Sequence, residues 1–194
     1  MLPSSIYTAA YAFATSYGSV YDFYRNGSSS LELAENVASY YRVPYTAFFI
    51  GNVAYNQTFA SITDATIVAY DFFENAGIGS NVTMDDLRVE PVSDASALVW
   101  ITWRIHPNND LESFSWTTLY GYRNDLDLLA GITTPGVNGT VGPIETEECV
   151  TSDSGTGGRP AGGWEFGVSD DEIVTFSQRV PNYIDSYVIP PSKK

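Results

Sequence analysis

The sequence predicts an α+β domain in which a curved antiparallel β-sheet wraps over about three N-terminal helices, with a short C-terminal helix after it. Apolar residues recur at helical period as far as Gly77, interrupted by one short β-rich stretch, and beyond Gly79 the period changes to alternation. Aromatic residues are abundant, with 14 Tyr, 10 Phe and 4 Trp in 194 residues. Rings supply rigid walls and, in Tyr and Trp, polar tips. An aromatic-lined cavity for a small apolar organic molecule is therefore expected.

The elements follow in order. Ser4 and Ser5 can cap a helix running to about Arg25, with Phe13, Tyr17, Val20 and Tyr24 on one face. Asn26-Gly27 ends it. A second helix is expected from about Leu31 to Tyr41, stopped by Pro44, and a first strand from Tyr45 to Val53, broken at Gly51-Asn52. Ser61 can cap a third helix to Gly77, with Asp64 in capping-box spacing and Ile67, Val68, Asp71 and Phe72 as its inner stripe. Strands are expected near 84–93, 96–106 and 112–123, joined by Ser93-Asp94-Ala95 and Pro107-Asn108-Asn109-Asp110 into a meander. Residues 131–163, rich in Gly, Thr and Pro, predict a long surface loop. A last strand at 164–168 precedes a helix opened by Ser169-Asp170-Asp171-Glu172 and running to Arg179. The length suits one domain spanning 1–194.

The formal net charge of −14 argues against nucleic acid and against an anionic membrane surface, because both are bound through clustered Lys and Arg. No stretch is apolar for long enough to span a bilayer. Cys149 is alone, which leaves no intrachain disulfide. Asn-x-Ser/Thr sequons stand at Asn26, Asn56, Asn81 and Asn138, whereas the residues after Met1 lack the pattern of a signal peptide. Secretion after removal of a signal is the expectation, and a cytoplasmic protein the alternative. One His and one Cys far apart offer no metal-ligand set, and Gly155-Thr156-Gly157-Gly158-Arg159 lacks the Lys of a phosphate loop, so no metal or cofactor is expected.

Three helices with one interposed strand, followed by a twisted meander, form the element order of the nuclear transport factor two-like superfamily. The segment Tyr11-Ala12-Phe13-Ala14-Thr15-Ser16-Tyr17 with Phe48-Phe49-Ile50-Gly51-Asn52 resembles SnoaL-like polyketide cyclases and, more distantly, scytalone dehydratase. The ending Gly163-Trp164-Glu165-Phe166-Gly167-Val168 resembles fungal members of that group. The resemblance covers most of the chain as element order. It implies a cone with a deep pocket, cofactor-free cyclisation, dehydration, isomerisation or epoxide opening, and frequent pairing of two copies across the sheet. Scytalone dehydratase implies two active-site histidines, and this chain has only His106. Dehydration by that machinery is thus put in doubt.

Three residues are candidates for chemistry. His106 shares a strand face with Trp100, Thr102 and Arg104 and is either a general acid or base or a solvated strand end. Arg104 would stabilise a carboxylate or enolate, or pair with an acid such as Glu90. Asp71, on an apolar helical stripe, would serve as a base with a raised pKa, or lie at the stripe's boundary. Phe114, Trp116, Thr118, Tyr120 and Tyr122 alternate on one face and with Trp100 would make a wall facing either a ligand or a second subunit. Tyr17, Tyr24, Phe49 and Asn52 complete the candidate lining, while Asp85-Asp86 and Asp170-Asp171-Glu172 read as solvated acids and a helix start.

The functional expectation is a cofactor-independent enzyme of secondary metabolism. It would fold a polyketide or terpenoid intermediate and guide cyclisation or isomerisation, pericyclic Diels–Alder closure included. The alternatives are a secreted, glycosylated carrier of an apolar ligand and a protein-interaction module.

Overall fold

The computed structural model describes residues 5–24, 29–124, 160–180 and Tyr183. Most of the loop expected over 131–163 lies outside them. Among the described residues four helices, α1 (Ser5–Tyr24), α2 (Ser30–Ala38), α3 (Phe59–Asn75) and α4 (Asp170–Arg179), accompany six strands in one curved sheet. The strands are β1 (Tyr41–Phe49), β2 (Asn52–Asn56), β3 (Val82–Pro91), β4 (Ser96–Ile105), β5 (Phe114–Arg123) and β6 (Gly163–Val168), in spatial order β2-β1-β6-β5-β4-β3. The fold is α+β as expected. The sheet departs from the expected antiparallel pattern in one pair, because β1 and β6 run parallel. β6 returns from far along the sequence to lie between β1 and β5, and the direction of β5 then fixes its own.

Local chemistry moves several boundaries. The Ser29 hydroxyl accepts from the Glu32 amide and starts α2. Thr58, rather than Ser61, caps α3: the two side chains accept reciprocally from each other's backbone amides, which places Ser61 inside the first turn. Pro44 does not stop a helix. It sits within β1, where pairing with β6 is interrupted between Tyr41 and Thr46, so its missing N–H costs no ladder bond there. The break expected at Gly51-Asn52 is a hairpin turn, with Ile50 and Gly51 both at positive φ between β1 and β2.

Burial alternates residue by residue along β4, and along β5 as far as Tyr120. Ala97, Val99, Ile101, Trp103 and Ile105 of β4 face the core beside Phe114, Trp116, Thr118, Tyr120 and Tyr122 of β5, with Trp103 directly opposite Trp116. Helix α1 buries Ile6, Ala10, Phe13, Tyr17, Val20 and Tyr21 against this face, and Gly18 lets it come down onto Met84 of β3. Helix α4 lies against β5. The concave face of the sheet is thus the core face, with rings along β5 and mostly aliphatic side chains along β4.

Candidate functional site

Two nests of aromatic rings meet on the concave face. Tyr17 is the hub of the first, with the rings of Tyr40, Tyr41, Trp103, Tyr120 and Trp164 at centroid distances of 5.3, 6.0, 5.7, 5.8 and 5.6 Å. Phe176 of α4 is the hub of the second, with Phe73, Phe114, Trp116 and Tyr183 at 5.0, 5.0, 4.9 and 4.8 Å. Tyr21 and Tyr70 bridge the nests from the helical side, and Thr118 lies between Trp116 and Tyr120 on the sheet side.

The junction between the nests is polar. The Tyr17 hydroxyl shares hydrogen bonds with those of Tyr41 at 2.8 Å and Tyr21 at 3.2 Å. Tyr21 is hydrogen-bonded in turn to Tyr70, and the Tyr120 hydroxyl reaches the same group from β5. Burial pushes all five hydroxyls above the ordinary tyrosine value, because a phenolate here would lose its hydration. The negative charge of Glu172 adds to that rise at Tyr21, Tyr70 and Tyr120. At neutral pH these groups are therefore neutral O–H donors. Glu172 comes from the first turn of α4, half-buried, and its Oε1 accepts from the Tyr183 hydroxyl at 3.2 Å.

Four buried polar atoms find no hydrogen-bond partner among the described residues: Trp116 Nε1, Thr118 Oγ1, Trp164 Nε1 and Asn81 Oδ1. The first three belong to the ring-lined concave face. Unsatisfied buried polar atoms are uncommon in folded chains, and three on one face mark a polar demand inside an apolar wall.

The residues expected from sequence divide by sheet face. Tyr17, Phe114, Trp116, Thr118 and Tyr120 are buried on the concave side, and Phe49 packs at its margin. Tyr24 lies in α1 with a side chain outside the described residues. Trp100, expected in the same wall as Trp116, is on the opposite face: it pairs with Leu119, and the Arg88 guanidinium covers its ring at 3.8 Å. Thr102 shares that outer face, where its hydroxyl meets that of Thr117 at 3.0 Å. Arg104 is half-buried and paired with Asp85 at 2.6 Å, not with Glu90, whose partner across the ladder is Leu98. Asp85 is thus a bridge partner rather than a free solvated acid. His106 sits past the end of β4 between Thr83, at 3.1 Å from Nε2, and Ser113, at 3.2 Å from Nδ1, away from the tyrosine group. Asp71 is exposed, because α3 turns Ile62, Tyr70 and Phe73 inward instead of the expected stripe. Asn52 is exposed at the hairpin, donating to the Ile50 carbonyl.

The acids opening α4 are likewise more than a helix start. Asp170 accepts from the Ile50 amide and Asp171 from the Thr117 amide at 2.7 Å. β6 ends at Val168 opposite Leu119, so Thr117 has no strand partner on that side, and the Asp171 carboxylate stands in for the missing strand. Glu172 is then the acid of this turn whose charge is felt at the hydroxyls of Tyr21, Tyr70 and Tyr120. An open depression lined by Tyr11, Met84, Asp85, Asp86 and Leu87 lies beside β3, apart from the tyrosine group.

The sequence matches no known protein family and no curated protein. Among solved structures it is similar to a domain of unknown function with a cystatin-like fold from Nostoc punctiforme, at 12% identity and a TM-score of 0.49, over 86% of this chain and 77% of that one. It is also similar to a chain from Xanthomonas campestris named for a calcium/calmodulin dependent protein kinase II association domain, at 14% identity and a TM-score of 0.32, over 47% of this chain and 63% of that one.

Proposed function

We propose that the chain is a cofactor-independent enzyme that takes an oxygenated, largely apolar intermediate of polyketide or terpenoid type between the two ring nests and guides its cyclisation or isomerisation. The observation that carries this reading is the group of neutral, hydrogen-bonded tyrosine hydroxyls at the centre of an aromatic wall, three of which feel the charge of Glu172. A wall meant only to hold a hydrocarbon has no use for buried hydroxyls. Neutral O–H donors stabilise the negative charge that grows on a carbonyl oxygen as an enolate forms, and a nearby carboxylate can move the proton on the adjacent carbon. Rigid rings would hold a flexible chain near its reactive geometry, which suits pericyclic closure as well as proton-driven cyclisation. The rings touch one another, so a ligand enters by parting them. The element order that resembles SnoaL-like cyclases supports the same reading.

Native mass spectrometry of the protein from its own host, joined to a conversion assay on a poly-β-ketone, tests it. An adduct bearing carbonyl or phenol oxygens is expected, with product formation reduced at least tenfold in Glu172→Gln and in Tyr120→Phe. A bound hydrocarbon with unchanged products in both variants would favour the carrier instead.

A second reading rests on the outer face of the sheet, where Phe48, Val53 and Tyr55 stand exposed, Tyr55 at 70%. Such a patch fits pairing of two copies. Light scattering would show a dimer that Tyr55→Asp splits, and a monomer at all concentrations would exclude it.

A further inference from the structure

We infer that Trp116 and Thr118 form a two-point polar clamp for a flat ring carrying two oxygens set apart, a carbonyl at the indole and a carbonyl or hydroxyl at the threonine. This deepens the proposed function and rests on it, since it names the chemical class that the ring-lined site would accept. Both side chains are more than nine-tenths buried, at 6% and 2% exposure, and Trp116 Nε1 and Thr118 Oγ1 pair with nothing among the described residues. They stand two positions apart on β5 and on one face, Trp116 in the Phe176 nest and Thr118 between it and Tyr120 of the Tyr17 nest. An indole N–H only donates, so its partner must be an acceptor oxygen; a threonine hydroxyl donates or accepts. Alternate residues of a strand are about 6.5–7 Å apart at the backbone and point to the same face, so the pair can address two oxygens set apart on one flat ring. The walls on either side are aromatic, which favours a flat guest over a bulky one.

The test is calorimetric binding of two probes with one carbon skeleton, 4-hydroxy-1-tetralone and tetralin, to the full chain and to the Trp116→Phe, Thr118→Val and Thr118→Ser variants, each checked for native circular dichroism. The full chain is expected to prefer the hydroxyketone. Trp116→Phe and Thr118→Val should each cut that preference about three- to tenfold, the range of one net hydrogen bond, while Thr118→Ser keeps it. Equal binding of the two probes by the full chain, or a preference that survives both truncations, overturns the clamp while leaving the ring-lined binding site standing. Failure of both probes to bind overturns the clamp and the binding site together.

Discussion

Replacing Thr118 by valine exchanges a hydroxyl for a methyl at nearly constant shape, and its effect on stability should be the reverse of the usual core substitution. Thr118 is 2% exposed and its Oγ1 has no partner among the described residues, so folding strips water from the hydroxyl with nothing in return. That unreturned desolvation costs about 1–3 kcal/mol, and a buried methyl in its place adds about 0.8 kcal/mol of apolar burial. Allowing for partial relaxation around the site, Thr118→Val is expected to stabilise the chain by about 1.5 kcal/mol. For a chain of this size that raises Tm by about 3–6 °C. Urea unfolding followed by circular dichroism measures it as a higher midpoint at unchanged slope. Thr102→Val is the internal control: on the outer face the Thr102 hydroxyl is bonded to Thr117 at 3.0 Å, so the same exchange should cost about 0.5–1 kcal/mol. A Thr118→Val variant destabilised by 1 kcal/mol or more would show that the hydroxyl is satisfied in the folded chain, and the clamp would lose its premise.

Alkaline pH should unfold the protein in one sharp step. The hydroxyls of Tyr17, Tyr21, Tyr41, Tyr70 and Tyr120 keep their protons to higher pH when folded than when unfolded. Their stabilisation is thus complete below the ordinary tyrosine value near pH 10, and each loses up to about 1.4 kcal/mol per pH unit above it. Tyrosinate absorbance at 295 nm should rise together with loss of the near-ultraviolet circular dichroism; stepwise titration of these tyrosines in a folded chain would contradict the buried network. Asp171→Ala should cost about 1 kcal/mol and speed hydrogen exchange at the Thr117 amide, which it alone would leave without an acceptor; an unchanged exchange rate would remove the carboxylate from that role. Arg104→Ala and Asp71→Ala, both on side chains outside the tyrosine group, should leave product formation unchanged, and Arg104→Ala should cost under about 1 kcal/mol. A tenfold loss of turnover in either variant would move the site to the outer face.

Elements were legible in the sequence wherever one period ran unbroken. Alternation along 96–106 and 112–123 predicts β4 and β5 to within two residues, since a half-buried strand must show its two faces in turn. Which face is concave was not legible. β4 carries Trp100 and Trp103 three residues apart, hence on opposite faces, and either could complete a wall with Trp116. Only the register, which sets Trp103 against Trp116 and Trp100 against Leu119, decides between them. Helix α3 posed the same difficulty, because an apolar stripe through Ile67, Val68 and Phe72 and one through Ile62, Tyr70 and Phe73 differ by a modest rotation about the axis. The second prevails by packing Phe73 on Phe176, a contact across about a hundred residues that no local pattern records.

The polar centre of the site was hidden for a different reason. Asp170, Asp171 and Glu172 are neighbours in sequence, and consecutive residues of a helix point about 100° apart. The three identical-looking acids therefore meet three different surroundings: the hairpin amide of Ile50, the unpaired edge of β5, and the hydroxyls under the sheet. Composition favours the helix dipole as a shared explanation, yet two of the carboxylates satisfy specific backbone amides and the third acts on tyrosines. The same holds for Tyr21, Tyr41 and Tyr70, whose rings count as core in any hydrophobic pattern. Their hydroxyls become a functional group only when α1, α3 and the start of β1 bring them together, so a chain rich in tyrosine can conceal a polar site inside an aromatic signal.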